Sequence, residues 1–192
     1  TEFSSTQGTN NWYYTSWSSG TSYPRLIWDA ATSRWSASGA SPFITKVMLH
    51  PGATTNAALR WRASQAGTIT VTGKAYDRDP SCGDGVTVQL FKNAALLWSA
   101  TVNNGDTTGQ SHTITSAVVV GDALSFVVNA RGNSQCDATG WDPVIGYTET
   151  SASTLSSNAA ALALSLSNAL VSAVIVAPLN AVVQVLGGVF YQ

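Results

Sequence analysis

The sequence is short of charge: Asp, Glu, Lys and Arg make up 10% of its 192 residues, against about a quarter in an ordinary soluble domain. Nine basic and ten acidic residues leave a formal net charge of −1. Proteins that bind duplex nucleic acid cluster Lys and Arg to meet the phosphates, and here the basic residues are scattered. We therefore expect no nucleic-acid partner and a surface made largely of hydroxyl and amide groups.

Recognisable catalytic motifs are also missing. His50 and His112 are the two histidines, and neither belongs to a triad or a zinc-binding pattern. The chain contains no G-x-S-x-G, no phosphate-binding glycine loop and no C-x-x-C pair. We therefore expect a non-catalytic protein that requires no cofactor.

Cysteine is scarce as well, and its two positions are informative. Cys82 and Cys136 each lie in a polar, turn-like segment, whereas free structural cysteines are more common in apolar runs. With no other cysteine to compete, one disulfide is the favoured pairing. A disulfide requires an oxidising compartment, which predicts a secreted protein that is extracellular or at the cell surface.

Apolar residues alternate with polar ones through most of residues 41–147. Leu59 and Trp61 alternate with Arg60 and Arg62, and the same two-residue period recurs at 67–76, 86–90 and 124–128, with a further strand at 43–49. Gly, Asn, Asp and Pro turns separate these runs. Short alternating strands between such turns are typical of an all-β antiparallel β-sandwich or barrel. Residues 1–40, rich in aromatic and small polar residues, are interpreted as short strands and long loops.

The C-terminal part of the chain has no charge at all beyond Glu149. We divide the chain into a β-sandwich domain, 1–149, and an uncharged apolar tail, 150–192. A solvated tail of this kind would exceed the apolar patch that soluble monomers expose, so it must be buried. The residues assigned to assembly are Leu162, Leu164, Leu166, Leu170, Val174, Val176, Val183 and Val185.

Three ways of burying the tail are open: other copies of the chain, a membrane, or the tail's own domain. Residues 159–177 are about long enough for a membrane-spanning helix, but Asn168 and several serines weaken that interpretation. The first half of the tail suits either a helix or a strand, and the Val-rich second half favours a strand. The leading hypothesis is an extracellular structural protein that self-assembles through its tail into a filament, tube or surface layer.

Several motifs resemble a known group of domains. They are Leu-Arg-Trp at 59–61, Ala-Gly-Thr-Ile-Thr-Val-Thr-Gly at 66–73, Gly-Asp-Gly-Val at 83–86, Leu-Trp at 97–98, Val-Gly-Asp-Ala-Leu-Ser-Phe-Val-Val at 120–128 and Cys-Asp-Ala-Thr-Gly-Trp-Asp-Pro-Val-Ile at 136–145. Together with the opening at 3–14, they resemble the β-jelly-roll modules of secreted bacterial glycan-active and cell-surface proteins, which are similar to carbohydrate-binding modules. The resemblance covers residues 3–147 and leaves the tail unmatched. It implies a jelly roll and, as the alternative hypothesis, a carbohydrate-binding module held at a cell surface by the tail.

Two groups of side chains are candidates for binding. The aromatic residues of the N-terminal segment can stack on the apolar face of a sugar; they are Trp12, Tyr13, Tyr14 and Trp17. Core packing or subunit contacts are the alternative for them.

Five aspartates flank the cysteines: Asp77, Asp79, Asp84, Asp137 and Asp142. The disulfide would bring them towards one end of the sandwich, and the resemblance implies structural calcium, which takes six to eight oxygen ligands. Alternatively, these aspartates cap turns and are neutralised by Arg78 and Arg131.

Overall fold

A computed structural model of the chain describes residues 3–38 and 41–148. These residues form two antiparallel sheets, which confirms the predicted all-β sandwich of jelly-roll type. A short 3-10 turn spans Thr9–Asn11. The strands are β1 (Trp12–Trp17), β2 (Ile27–Asp29), β3 (Arg34–Ser36), β4 (Phe43–Ile44), β5 (Leu49–His50), β6 (Asn56–Arg62), β7 (Gly67–Asp77), β8 (Val86–Lys92), β9 (Ala95–Val102), β10 (Gln110–Val118), β11 (Ala123–Ala130), β12 (Thr139–Trp141) and β13 (Val144–Tyr147).

The two sheets divide these strands unequally. One sheet has five strands in the order β1-β6-β11-β8-β9, and the other has eight, with the path β10-β7-β12-β5-β4-β3-β2 and with β13 paired to β7. In β6, Leu59 and Trp61 are buried, whereas Arg60 is half-buried and Arg62 is exposed. The alternation seen in the sequence therefore sets which side chains of β6 face the core.

The core joins the sheets through aromatic contacts. The Phe126 ring of β11 lies 5.9 Å from the Trp12 ring in the same sheet. It also meets the Trp141 ring of the other sheet edge-on, with centroids 5.3 Å apart. Aromatic side chains bury large areas and favour such edge-on geometry. These contacts fix the inward face of β1, and so also its outward face.

One predicted strand is divided. Residues 43–49 form β4 and β5 with a turn between them, in which the Thr45 N–H donates to the Met48 carbonyl at 2.9 Å. The two pieces pair antiparallel, with Ile44 opposite Leu49. Both of these side chains are buried. Ile44 and Leu49 therefore pack in the core, but from two short strands instead of one.

The apolar tail, with the eight residues assigned to assembly, lies outside the described residues. Its burial against other copies therefore stays a prediction. Within residues 3–38 and 41–148, no helix has the length and apolar character needed to cross a membrane.

Candidate functional site

The outward face of β1 forms one wall of an open groove. Tyr13 pairs with Arg60 and Thr15 pairs with Ala58 across the β1–β6 ladder. Thr15 also forms an isolated antiparallel bridge with Arg25. The chain after β1 therefore turns back along this strand and carries Arg25 to the same face as Tyr13.

Backbone hydrogen bonds hold this returning segment against β1. The Ser16 N–H donates to the Pro24 carbonyl at 2.8 Å, and the Leu26 N–H donates to the Tyr14 carbonyl at 3.0 Å. Leu26 is buried, with 3% of its surface exposed. The segment is thus anchored by both hydrogen bonds and packing, which fixes the position of the side chains it presents.

We call the resulting site the arginine–tyrosine groove. It has a volume of about 140 Å³ and is lined by Tyr13, Thr15, Tyr23, Arg25, Arg60 and Arg62. Its lining contains three guanidiniums and no carboxylate, imidazole or thiol. It therefore offers many hydrogen-bond donors and a positive potential to a ligand.

Each guanidinium of the groove lies near a tyrosine ring. The Arg60 Cζ atom lies 4.0 Å from the centroid of Tyr23. The Cζ atoms of Arg25 and Arg62 lie 5.2 Å and 5.9 Å from the centroid of Tyr13. Cation–π contacts of this kind contribute about 0.5–1 kcal/mol at exposed sites, and they restrict the orientations of the arginines before any ligand arrives.

Arg60 is the most constrained of the three arginines. Its Nε–H donates to the Ser125 hydroxyl of β11 at 3.0 Å. Burial lowers the pKa of Arg60, and the positive charge of Arg62 acts in the same direction, whereas Tyr23 opposes it. Arginine nonetheless stays protonated in proteins, so the groove keeps its positive charges at neutral pH.

The four aromatic candidates separate according to their position on β1. Trp12 and Tyr14 are 7% and 2% exposed, and the Tyr14 ring stacks on Trp35 at 5.0 Å. We therefore correct the sugar-platform assignment for Trp12 and Tyr14, because their rings face the core. Tyr13 lines the groove.

Trp17 lies on the same face of β1 as Tyr13. It is half-buried, and its ring is near those of Tyr23, at 6.1 Å, and Phe91, at 5.4 Å. Trp17 therefore supports the Tyr23 ring and extends the aromatic surface beside the groove.

Most of the groove comes from residues that carry no binding motif. Tyr23 and Arg25 come from a loop, and Arg60 and Arg62 are the polar members of a strand alternation. The alternation itself predicts that Arg60 and Arg62 share one face. The pairing of β6 with β1 is what joins them to Tyr13 and Arg25, and no local pattern indicates it.

The predicted disulfide links the other candidate group. Cys82 and Cys136 are bonded, with their Cα atoms 5.4 Å apart and a sequence separation of 54. Beside the bond is a small cavity of about 10 Å³, which we call the acidic cavity. It is lined by Asp77, Cys82, Gly85, Val86, Val102, Asn104, Cys136, Asp137 and Thr139.

Asp137 is the unusual residue of the acidic cavity. Its side chain is 3% exposed, and neither carboxyl oxygen has a hydrogen-bond partner among the described residues. Burial raises the pKa of Asp137 to about 7, with further contributions from the negative charges of Asp84 and Asp77. A buried carboxylate without partners is costly, so a proton or a cation must neutralise it.

The other aspartates are differently placed. Asp77 accepts hydrogen bonds from the N–H groups of Asp79 and Gly105, and Asp84 accepts one from the Gly132 N–H at 2.7 Å. Asp79 bonds to Ser81. These contacts use the carboxylates as turn caps, in agreement with that part of the alternative interpretation.

The fifth aspartate, Asp142, lines a different cleft and not the acidic cavity. Among residues 3–38 and 41–148, no group of three His, Cys, Asp or Glu side chains is arranged to hold a metal ion. Asp137, with its unpaired oxygens, is the residue of this set most suited to a cation. Calcium binding there stays a prediction.

The second cleft lies on the eight-stranded sheet. It has a volume of about 310 Å³ and is lined by Lys46, Val47, Lys74, Tyr76, Arg78, Trp141 and Asp142. Unlike the arginine–tyrosine groove, it includes a carboxylate in its wall. It provides a matched surface against which the groove can be tested.

The two histidines do not contribute to the groove. His112 is 5% exposed, and its Nε2 accepts a hydrogen bond from the Trp141 indole N–H at 3.1 Å. Burial lowers the pKa of His112, which keeps it neutral and able to accept this bond. His50 stacks on Phe43 with ring centroids 4.8 Å apart.

No protein-family model matches the chain, and no curated protein matches it. Solved structures with a similar fold include carbohydrate-binding modules of families 35, 51 and 6. A family 35 module from Paenibacillus barcinonensis is 15% identical, with a TM-score of 0.35, over 74% of this chain and 98% of that chain. The family 51 module of Clostridium perfringens GH95, solved with methyl-galactose, is 6% identical, with a TM-score of 0.37, over 58% of this chain and 77% of that chain.

Rabbit GITRL also has a similar structure. It is 22% identical, with a TM-score of 0.35, over 47% of this chain and 74% of that chain. At these identities and TM-scores, the β-sandwich assignment rests on the strand pairing described above. A ligand for this chain has to be argued from its own groove.

Proposed function

We propose that the described domain is a non-catalytic glycan-binding module and that the arginine–tyrosine groove is its binding site. The observation that carries this proposal is the open groove on the outer face of the five-stranded sheet, with Tyr13 in its wall and Trp17 on the same face. Aromatic surface beside polar groups with fixed positions is the usual composition of small-molecule sites. The volume of about 140 Å³ is below the roughly 300–1,000 Å³ of clefts and cavities that bind drug-sized ligands, so the groove suits one sugar unit of a chain.

The chemistry of the lining supports binding over catalysis. A hydrolase needs a general acid and a base or nucleophile, and the groove is lined by arginine, tyrosine and threonine. The hydroxyl of Thr15 donates to the Ala58 carbonyl at 2.7 Å, so it is not paired with a base. Arginine cannot accept a proton from a nucleophile.

The wider setting of the module is also a proposal. The Cys82–Cys136 disulfide suits an oxidising compartment, in keeping with a secreted or cell-surface protein. The tail, 150–192, would then anchor the module or join it to other copies. The groove is complete within the described residues and does not depend on either role of the tail.

Affinity electrophoresis of the full chain through gels containing neutral or acidic polysaccharides tests the site. Tyr13→Ala is expected to weaken binding of a retarding polysaccharide at least about fivefold, since a nucleic-acid base stacked on an aromatic side chain is worth about 1–3 kcal/mol and a sugar ring stacks on the same kind of face. Tyr76→Ala is the matched control, because Tyr76 is a half-buried tyrosine of the second cleft.

The two variants give separable outcomes. Retardation lost in Tyr13→Ala and kept in Tyr76→Ala supports the groove. The reverse pattern would place binding in the second cleft and overturn the site assignment. No retardation by any polysaccharide, with a native circular dichroism spectrum, would overturn the proposed function itself.

A further inference from the structure

The groove gathers like charges that the described protein does not neutralise. Arg25, Arg60 and Arg62 all line it. Among residues 3–38 and 41–148, none of these arginines has a carboxylate within salt-bridge distance. By contrast, Lys92 in the same part of the chain does form an ion pair, with 3.2 Å between its Nζ and the Oδ2 of Asp122. In a chain with nine basic residues in total, one small groove therefore holds a third of them.

The three guanidiniums are arranged before a ligand arrives. Arg60 is held by Ser125 and by the Tyr23 ring, and Arg25 and Arg62 lie against Tyr13. The hydrogen bond of Arg60 uses its Nε–H, which leaves its terminal amino groups without an acceptor among the described residues. A guanidinium presents its N–H donors in a planar fork that matches the oxygens of a carboxylate or sulfate.

We propose that the arginine–tyrosine groove selects glycans that carry an oxyanion, a carboxylate or a sulfate ester, over neutral glycans. This inference rests on the proposed glycan-binding function and names its ligand class. A neutral sugar hydroxyl can accept a hydrogen bond from arginine but leaves the mutual repulsion of the three charges in place. An oxyanion accepts the same bonds and also relieves that repulsion.

Nucleic acid is a poor fit to the same charges. Duplex binding uses extended basic surfaces that contact many phosphates, whereas the groove of about 140 Å³ concentrates three arginines at one point. The remaining surface belongs to a chain with a net charge of −1. A single acidic unit within a polysaccharide can accept hydrogen bonds from the groove arginines and offset their charge, and it needs no wider basic surface.

Titration calorimetry of the full chain tests the selection with three polymers. These are polygalacturonate for carboxylate, dextran sulfate for sulfate and dextran as the neutral polymer. We expect polygalacturonate or dextran sulfate to bind at least about tenfold more tightly than dextran at low salt, which corresponds to about 1.4 kcal/mol. The polymer that binds more tightly identifies the oxyanion.

Variants then assign the selection to the fork geometry. The double variant Arg25→Gln with Arg62→Gln is expected to weaken binding of the acidic polymer at least about tenfold, and Arg62→Lys, which keeps the charge, is expected to weaken it as well. Arg78→Gln changes the charge in the second cleft and is expected to leave binding unchanged. If Arg62→Lys keeps full affinity for the acidic polymer, recognition of the oxyanion by the planar guanidinium fork would be overturned, and a simple positive charge would be sufficient.

The remaining outcomes separate this inference from the proposed function. Equal binding of dextran and the acidic polymers, lost in Tyr13→Ala, would overturn the selection while the glycan-binding function stands. If Arg78→Gln removes binding of the acidic polymers and the groove variants do not, the assignment of this binding to the groove would be overturned. Failure of all three polymers and of a wider glycan panel would overturn the proposed function first.

Discussion

The arginine–tyrosine groove and the acidic cavity each gather side chains of one charge sign, but they differ in access to solvent. In the groove, Arg25 and Arg62 are exposed and Arg60 is half-buried. In the acidic cavity, Asp137 is 3% exposed and lies beside a disulfide. Water screens the exposed charges of the groove much more strongly than it screens the buried Asp137.

This difference determines what each group of charges does to the molecule. Arginines that are open to water stay protonated, and water reduces their mutual repulsion without removing it, so the groove can hold three arginines ready for a ligand. A charge that is buried without partners changes its protonation instead, and the raised pKa of Asp137 is that response. Like charge on exposed side chains of the groove thus favours binding, whereas like charge at the buried Asp137 makes stability depend on pH.

Removing the disulfide beside the acidic cavity is expected to have the largest effect on stability. The double variant Cys82→Ser with Cys136→Ser should lower the free energy of unfolding by about 4 kcal/mol, since the bond spans 54 residues and restricts the unfolded chain. Urea denaturation measures this change. Glycan binding by the folded fraction should persist, because no cysteine lines the groove; a loss of less than about 1 kcal/mol would contradict the expected role of the bond.

The pH dependence due to Asp137 should be the next largest effect. Its folded pKa of about 7 is above the ordinary value of 3.8, so the folded state holds the proton more tightly than the unfolded chain does. The stabilisation is complete below about pH 4 and is lost as the pH rises through 7. From pH 5 to pH 8 in calcium-free buffer, the free energy of unfolding should fall by about 2–3 kcal/mol, and Asp137→Asn should remove this decrease.

Calcium distinguishes the two species that can neutralise Asp137. If a cation occupies the acidic cavity, calcium at pH 8 should raise the unfolding midpoint of the wild type, and Asp137→Asn should abolish that rise. If a proton is the neutralising species, calcium should have no effect and the pH dependence should remain. A wild-type stability that is constant from pH 5 to pH 8 without calcium would contradict the burial argument.

Neutralising a charge of the open groove should have the smallest effect on stability. Arg62→Gln is expected to lower the free energy of unfolding by at most about 1 kcal/mol, because Arg62 is exposed, makes no salt bridge among the described residues and loses a cation–π contact with Tyr13. Urea denaturation beside the binding measurements checks this. A loss above about 1 kcal/mol would show that the groove arginines are structural and would remove the contrast between the two sites.

Sequence patterns predict the parts of the fold that depend on neighbouring residues. The two-residue period at 59–62 correctly predicts that Leu59 and Trp61 face the core and that Arg60 and Arg62 face away. The polar settings of Cys82 and Cys136 predict their disulfide. Each of these inferences needs only strand geometry or the absence of a competing partner.

The groove depends on pairings that no local pattern encodes. The sequence groups Trp12 and Tyr14 with Tyr13 and Trp17 because all four lie in an aromatic segment. Only the formation of β1 separates them onto two faces. The bridge from Thr15 to Arg25 and the β1–β6 ladder then bring together residues 13, 25 and 60, and contacts across such distances are set by the whole core.

The returning segment after β1 also has a consequence for aggregation. A strand at the rim of a sheet exposes N–H and C=O groups on which another chain can extend the sheet. Here residues 24–26 occupy that side of β1 through the Ser16–Pro24 and Leu26–Tyr14 backbone bonds, so the rim is already capped next to the groove. In the described part of the chain, the opposite rim strand, β9, pairs with β8 alone, which makes it the more accessible place on this sheet for a strand from another molecule.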